Sequence, residues 1–247
     1  MPNKIIKSLI NTLIFIGIFL LYAIYQELIV ELIKHIGFDI NKLGIHYKNI
    51  CLIIIDISLI AITYLIYRKE NNIELRRYDK NLGKYASFGL LMWTIGIILM
   101  ISTNLIIRKF YPTTTAANEE AVQAMLKTSP IYMAFSACIF APFMEEMIFR
   151  KCIRKIFNSN VLFIIVSGLL FGIAHNLGVL GKPDMIYIIP YALFGSIFAY
   201  TYAKTKSIFV PMTFHFIHNT ILVIFSLISM GVIKWNQDMN KTREKED

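Results

Sequence analysis

This chain is poor in the residues that staple or punctuate a soluble fold. Of its 247 residues, 3 are cysteine, 7 proline and 2 tryptophan. Cys51, Cys138 and Cys152 are odd in number and show no CxxC spacing, which excludes a disulfide framework and a cysteine metal site. They read as small apolar packing residues. Acidic residues are also scarce: 16 Asp+Glu stand against 25 Lys+Arg, a formal charge of +9. Such a balance suits either nucleic acid or the loops that orient a membrane protein. With 56% hydrophobic residues the membrane reading prevails, and no nucleic-acid partner is expected. The longest polar stretches, Arg68–Lys84 and the tail after Lys234, are too short to fold alone, and there is no internal repeat or low-complexity segment.

What the chain has in excess is apolar blocks about 20 residues long, the length of a membrane-crossing helix. Seven are expected, over Leu9–Ile29, Asn49–Tyr67, Tyr85–Ile107, Pro130–Arg150, Val161–His175, Met185–Ala203 and Ile208–Ile233. Glu31–His46, polar on one face, is either an interfacial helix or part of a longer first hairpin. The fold class is therefore all-α: a polytopic transmembrane bundle of seven to eight spans. Residues 1–235 form one integral membrane domain, and 236–247 a polar tail without fixed structure. With the N-terminus in the cytoplasm, the inside segments carry 14 Lys+Arg and the outside segments before the tail 7, the bias expected of that orientation. Four more in the tail fall outside if the spans are seven, which argues for an eighth.

Against this background Glu145, Glu146, Arg150, His175, His215, His218 and Asn219 lie in or beside apolar runs. An ionisable group near a bilayer centre costs about 2.5–3.5 kcal/mol on insertion scales, so each marks a functional hypothesis. Glu145 lies 15 residues before Asn160 and His175 15 after it. A short turn at Asn158-Ser159-Asn160 would therefore place carboxylate and imidazole side by side, each about 22 Å along its helix. Glu146 and Arg150 are i and i+4 in the favourable order for an ion pair. Glu145, 100° round the helix, lacks that partner and is free to act as a general base. His215 and Asn219 share a helix face and can hydrogen-bond to a developing oxyanion. His218 can line the same cavity edge. Ser167, Gly168, Gly172 and Asn176 form a small-residue stripe that suits close helix packing. Asp56, alone in the second span, reads as structural or cavity-lining.

Three motifs emerge, Glu145-Glu146-Met-Ile-Phe-Arg150, Phe171-Gly-Ile-Ala-His175 and His215-Phe-Ile-His-Asn219. In this order they resemble the EExxxR, FxxxH and HxxxN motifs of the CPBP intramembrane proteases, also called the Abi or CAAX prenyl protease 2 family. The resemblance covers about residues 130–225 and leaves the first 120 residues unmatched. It implies an intramembrane endopeptidase in which Glu145 activates water with His175, His215 and Asn219 hold the carbonyl oxygen, and Glu146 and Arg150 brace the site. A metal-independent reaction with no cofactor is favoured. The alternative is one zinc on Glu145, His175 and His215, although no HExxH occurs. The expected partners are membrane lipid and a peptide or protein substrate cut near the membrane surface, as in peptide or bacteriocin processing or self-immunity, in a bacterial plasma membrane. The cytoplasmic hairpin at Asn158 suggests a site open to the inside. Two rival readings stand beside this one: a non-enzymatic immunity or regulatory scaffold that binds a toxin or sensor, and a small transporter with a Glu–His proton relay.

Overall fold

The computed structural model describes residues 2–112 and 116–243, with no strand among them. The long helices are α1 (Pro2–His35), α2 (Ile45–Ile66), α4 (Leu82–Phe110), α6 (Pro130–Ile156), α8 (Ile188–Thr205) and α9 (Phe209–Arg243). Between them lie α3 (Arg68–Lys80), α5 (Ala117–Thr128) and α7 (Asn160–Ala174). Among the described residues six helices are long and apolar enough to cross a membrane. The chain is a multi-pass helical membrane protein, but the expected seven to eight spans become six. The difference is α7, whose 15 residues reach only about 22 Å, short of a hydrocarbon core of about 30 Å. It ends at His175 in two short 3-10 turns, Leu177–Val179 and Pro183–Tyr187, before α8. The segment Glu31–His46 belongs to a longer first hairpin: α1 continues to His35, and Asp39 caps a 3-10 turn before α2. The backbone of α9 stays helical to Arg243, and residues 244–247 of the polar tail lie outside the described residues.

Two sequence features fix the centre of the bundle. Ser159 caps α7 by accepting the amide N–H of Leu162 (3.4 Å), which sets the tight turn that folds α7 back against α6. Along α7, the glycines let it lie directly on α8. A Cβ at Gly168 would stand 2.6 Å from the carbonyl of Ala192, and one at Gly172 2.6 Å from that of Ile188. The small-residue stripe is thus a packing surface, and it fixes the position of His175 at its end.

Helix α6 is not a uniform α-helix. Ser136–Phe140 and Glu146–Cys152 are wound as π-helix, flanking an α turn at Ala141–Glu145. Pro142 contributes to the first. In the π register the Ala141 N–H bonds the Ser136 carbonyl, so Pro142 is next in line to serve Ala137 and has no N–H to give. π segments inside α-helices often sit at functional sites, and the two glutamates lie where the α turn passes into the second π segment.

Helix α3 lies across one end of the bundle. Glu74 accepts hydrogen bonds from Lys151 Nζ (3.0 Å), Tyr202 Oη (3.1 Å) and the backbone N–H of Ile208 (2.7 Å). Asn71 accepts a second bond from Lys151, and Arg77 donates to the Lys206 carbonyl. Lys151 and Arg150 are buried within the bundle although both are cations.

Candidate active site

Glu145 closes the α turn between the two π segments, and its side chain is buried. Its Oε1 accepts a hydrogen bond from Tyr22 of α1 at 3.2 Å. Its Oε2 has no hydrogen-bond partner among the described residues. It faces Nε2 of His175 at 3.7 Å and Nε2 of His215 at 3.6 Å. The structure therefore brings together the carboxylate and both imidazoles that sequence spacing singled out.

Each imidazole is oriented through its other nitrogen. His175 Nδ1 lies 2.9 Å from the Phe171 carbonyl. A carbonyl only accepts, so Nδ1 carries the hydrogen and a neutral His175 offers a lone pair at Nε2. His215 Nδ1 lies 2.9 Å from Glu146 Oε1. Glu146 also forms a 3.1 Å ion pair through Oε2 with Nε of Arg150, and both side chains are fully buried. Glu146 thus does more than brace Arg150: it links Arg150 to His215. The Arg150 guanidinium packs on Phe171 (4.5 Å) and Phe198 (5.7 Å), an apolar cage that suits a weakly hydrated planar cation.

Phe171, one turn before His175, organises much of this. Its ring lies 4.3 Å from that of His175 and 6.0 Å from that of His215. Tyr191 stacks on the other side of His175 at 4.7 Å. Gly195 makes room, since a Cβ there would come within 2.9 Å of the Phe171 ring.

Asn219 is placed differently from a simple oxyanion donor. Its Nδ2 donates at 2.8 Å to the Ala137 carbonyl, the acceptor that Pro142 leaves without a backbone donor. An amide nitrogen carries two hydrogens, so one remains for a ligand. Asn219, Glu145, His175 and His215 all line one cavity of about 560 Å³. His218 lines it too, with its ring 4.6 Å from that of Phe194. Asp56 does not: it is buried at the α1–α2 contact, where Gln26 donates to it at 3.0 Å and to Tyr132 at 2.7 Å. Tyr22 escaped sequence reasoning, as nothing in the apolar pattern of α1 separates it from Tyr25. Pro142 was a visible signal that periodicity arguments passed over.

Glu145 Oε2 and the two Nε2 atoms are donors of a kind that zinc accepts, and each histidine has the outer hydrogen bond that metal-bound imidazoles show. The geometry does not complete the fit. Among the described residues no group of three or more His, Cys, Asp and Glu is arranged to hold a metal ion.

Comparison with known proteins agrees with the motifs. The Rce1-like family model, type II CAAX prenyl endopeptidase, matches residues 127–221, which hold every residue of the three motifs. The membrane-embedded CAAX protease MroQ of Staphylococcus aureus (strain USA300) is 28% identical over 244 residues, spanning 94% of both chains. The family match and this relative support a likeness to the CPBP family. The putative membrane peptidase YdiL of Bacillus subtilis (strain 168) is 28% identical over 192 residues, 74% of each chain. The UPF0177 protein YvdC of Lactococcus lactis subsp. lactis (strain IL1403) is 24% identical over 179 residues, 71% of this chain and 65% of that one. No solved structure matches. MroQ aligns through α1 to α5 as well, so the likeness extends beyond the segment that the motifs mark.

Proposed function

We propose that this chain is an intramembrane endopeptidase that hydrolyses a peptide bond with water activated by Glu145. One observation carries the reading: a buried carboxylate oxygen without a hydrogen-bond partner among the described residues faces two oriented imidazoles and opens on a cavity large enough for a peptide segment. Water held by Glu145 Oε2 and His175 Nε2 attacks the scissile carbonyl and gives its proton to Glu145. The oxyanion forms opposite, where the free N–H of Asn219 stabilises it. His215 joins it as a donor when Nε2 carries a hydrogen. Collapse breaks the C–N bond, and the Glu145 proton passes to the leaving amine. Tyr22 positions Glu145 through Oε1. No step runs through a metal.

The substrate is a peptide or protein segment at the membrane, which accords with peptide or bacteriocin processing or self-immunity. The three relatives named above are bacterial, which supports a plasma-membrane location. The test is peptide cleavage by purified protein in proteoliposomes. Glu145→Gln keeps the shape and removes the base, so it should lower kcat by at least about 10²-fold. A chelator should leave the wild-type rate unchanged. Full activity in Glu145→Gln would end the proposal, and loss of activity on chelation would return zinc to the mechanism.

A further inference from the structure

The cavity leads from Glu145 toward one end of the bundle only. Along α9 its lining runs from His215 to Ser229, a rise of about 21 Å. Along α4 it follows Met100, Asn104 and Arg108, one helix face, to the start of α5. That is the end opposite α3. Asn104, Ser226 and Ser229 are polar residues on membrane-length helices, and each faces this shaft. Polar groups at that depth are expected where a wet cavity lies beside them.

The other direction is closed. Below Glu145, Met147, Ile148, Phe149, Arg150 and Lys151 are all buried. Lys151 is tied to Asn71 and Glu74, and Glu74 to Tyr202 and Ile208, so α3 seals that end with a bonded network. None of these residues lines the cavity.

Helix α3 also indicates which end faces the cytoplasm. It carries five Lys+Arg, at 68, 69, 76, 77 and 80, within 13 residues between two membrane-length helices. A short basic segment of this kind is retained inside and is attracted to the anionic cytoplasmic leaflet. The Asn158 hairpin beside it adds Arg154 and Lys155.

We propose that the catalytic cavity opens to the exocytoplasmic face, so that its substrate is a peptide segment presented there, either exported or lodged in the outer half of the bilayer. The cleavage chemistry rests on the preceding proposal; the route of access does not. This reverses the inward-facing site suggested by the hairpin position, because the hairpin lies at the sealed end.

The experiment is thiol labelling in intact cells. Cys51, Cys138 and Cys152 are replaced, and single cysteines are introduced as Arg108→Cys at the mouth, Ser226→Cys in the shaft and Asn158→Cys at the α3 end. A charged, membrane-impermeant maleimide should label Arg108→Cys and Ser226→Cys in intact cells, and Asn158→Cys only after permeabilisation. The reverse pattern would overturn the proposal, as would a Ser226→Cys that reacts from neither side. In proteoliposomes sorted by orientation, an added peptide should be cut at least tenfold faster when the α5 end faces outward. Correct labelling without cleavage in either orientation would leave the access route standing and count against the hydrolase reading alone.

Discussion

Asn219 Nδ2 donates at 2.8 Å to the Ala137 carbonyl, the acceptor left over because Pro142 has no N–H in the π register. The third motif is therefore joined to α6 by a backbone defect. This gives Asn219 two tasks that can be separated. Asn219→Ala should lower stability by about 1–3 kcal/mol, the cost of an unsatisfied buried carbonyl, and lower kcat as well. Adding Pro142→Ala restores a backbone donor. The double variant should regain most of the thermal stability while its kcat stays low. Recovery of both would show that Asn219 acts through the helix alone.

Tyr22 holds Glu145 from a helix at the edge of the bundle. Most of the α1 side chains are exposed, yet the Tyr22 hydroxyl is 3.2 Å from Oε1 and its ring 5.6 Å from that of Phe140. Tyr22→Phe keeps the ring contact and removes the bond. The expected result is a fall in kcat of about tenfold, equivalent to about 1.4 kcal/mol in the barrier, with KM nearly constant. A change confined to KM would assign Tyr22 to substrate binding instead.

Glu146 and Arg150 form a buried pair whose loss is asymmetric. Glu146→Gln leaves a cation in an apolar cage and should destabilise the protein by about 3–5 kcal/mol. Arg150→Met in the same chain removes that stranded charge and should restore much of the thermal stability in detergent. Activity should not return with it, since His215 Nδ1 has lost its carboxylate acceptor. If the double variant were as active as wild type, the link between Glu146 and His215 would have no functional weight.

The candidate site's geometry was legible where sequence distance maps directly onto depth. Glu145 and His175 are equidistant from a tight turn, so a hairpin brings them together, and the structure places Oε2 and Nε2 3.7 Å apart. The helical class was legible for a similar reason, because apolar block length measures bilayer thickness. The span count was less so: α7 is apolar throughout, but its end is set by the close approach to α8 at Gly172 and not by hydropathy. The π segments were hidden because a 3.6-residue period was assumed along α6. Tyr22 was hidden because its role is defined by a residue 123 positions away. The sealed end depends on Glu74 and Lys151, two charged residues of ordinary loop-like surroundings that only tertiary structure pairs.

Gly172 tests whether α7 packing sets the position of His175. A Cβ there would meet the Ile188 carbonyl at 2.6 Å and the Ala192 amide nitrogen at 2.9 Å, backbone atoms that cannot turn aside. Gly172→Ala should therefore push α7 from α8 and cost about 1–3 kcal/mol as overpacking. Because His175 follows within one turn, the separation from Glu145 should widen and kcat should fall more than stability alone explains. Gly17 is the control: a Cβ there meets nothing within 4 Å, and Gly17→Ala on an exposed face should hold or raise the melting temperature through helix propensity. Thermal unfolding and peptide cleavage measured on both variants decide the matter. Equal behaviour of the two would mean that the α7–α8 contact does not hold the His175 imidazole in place.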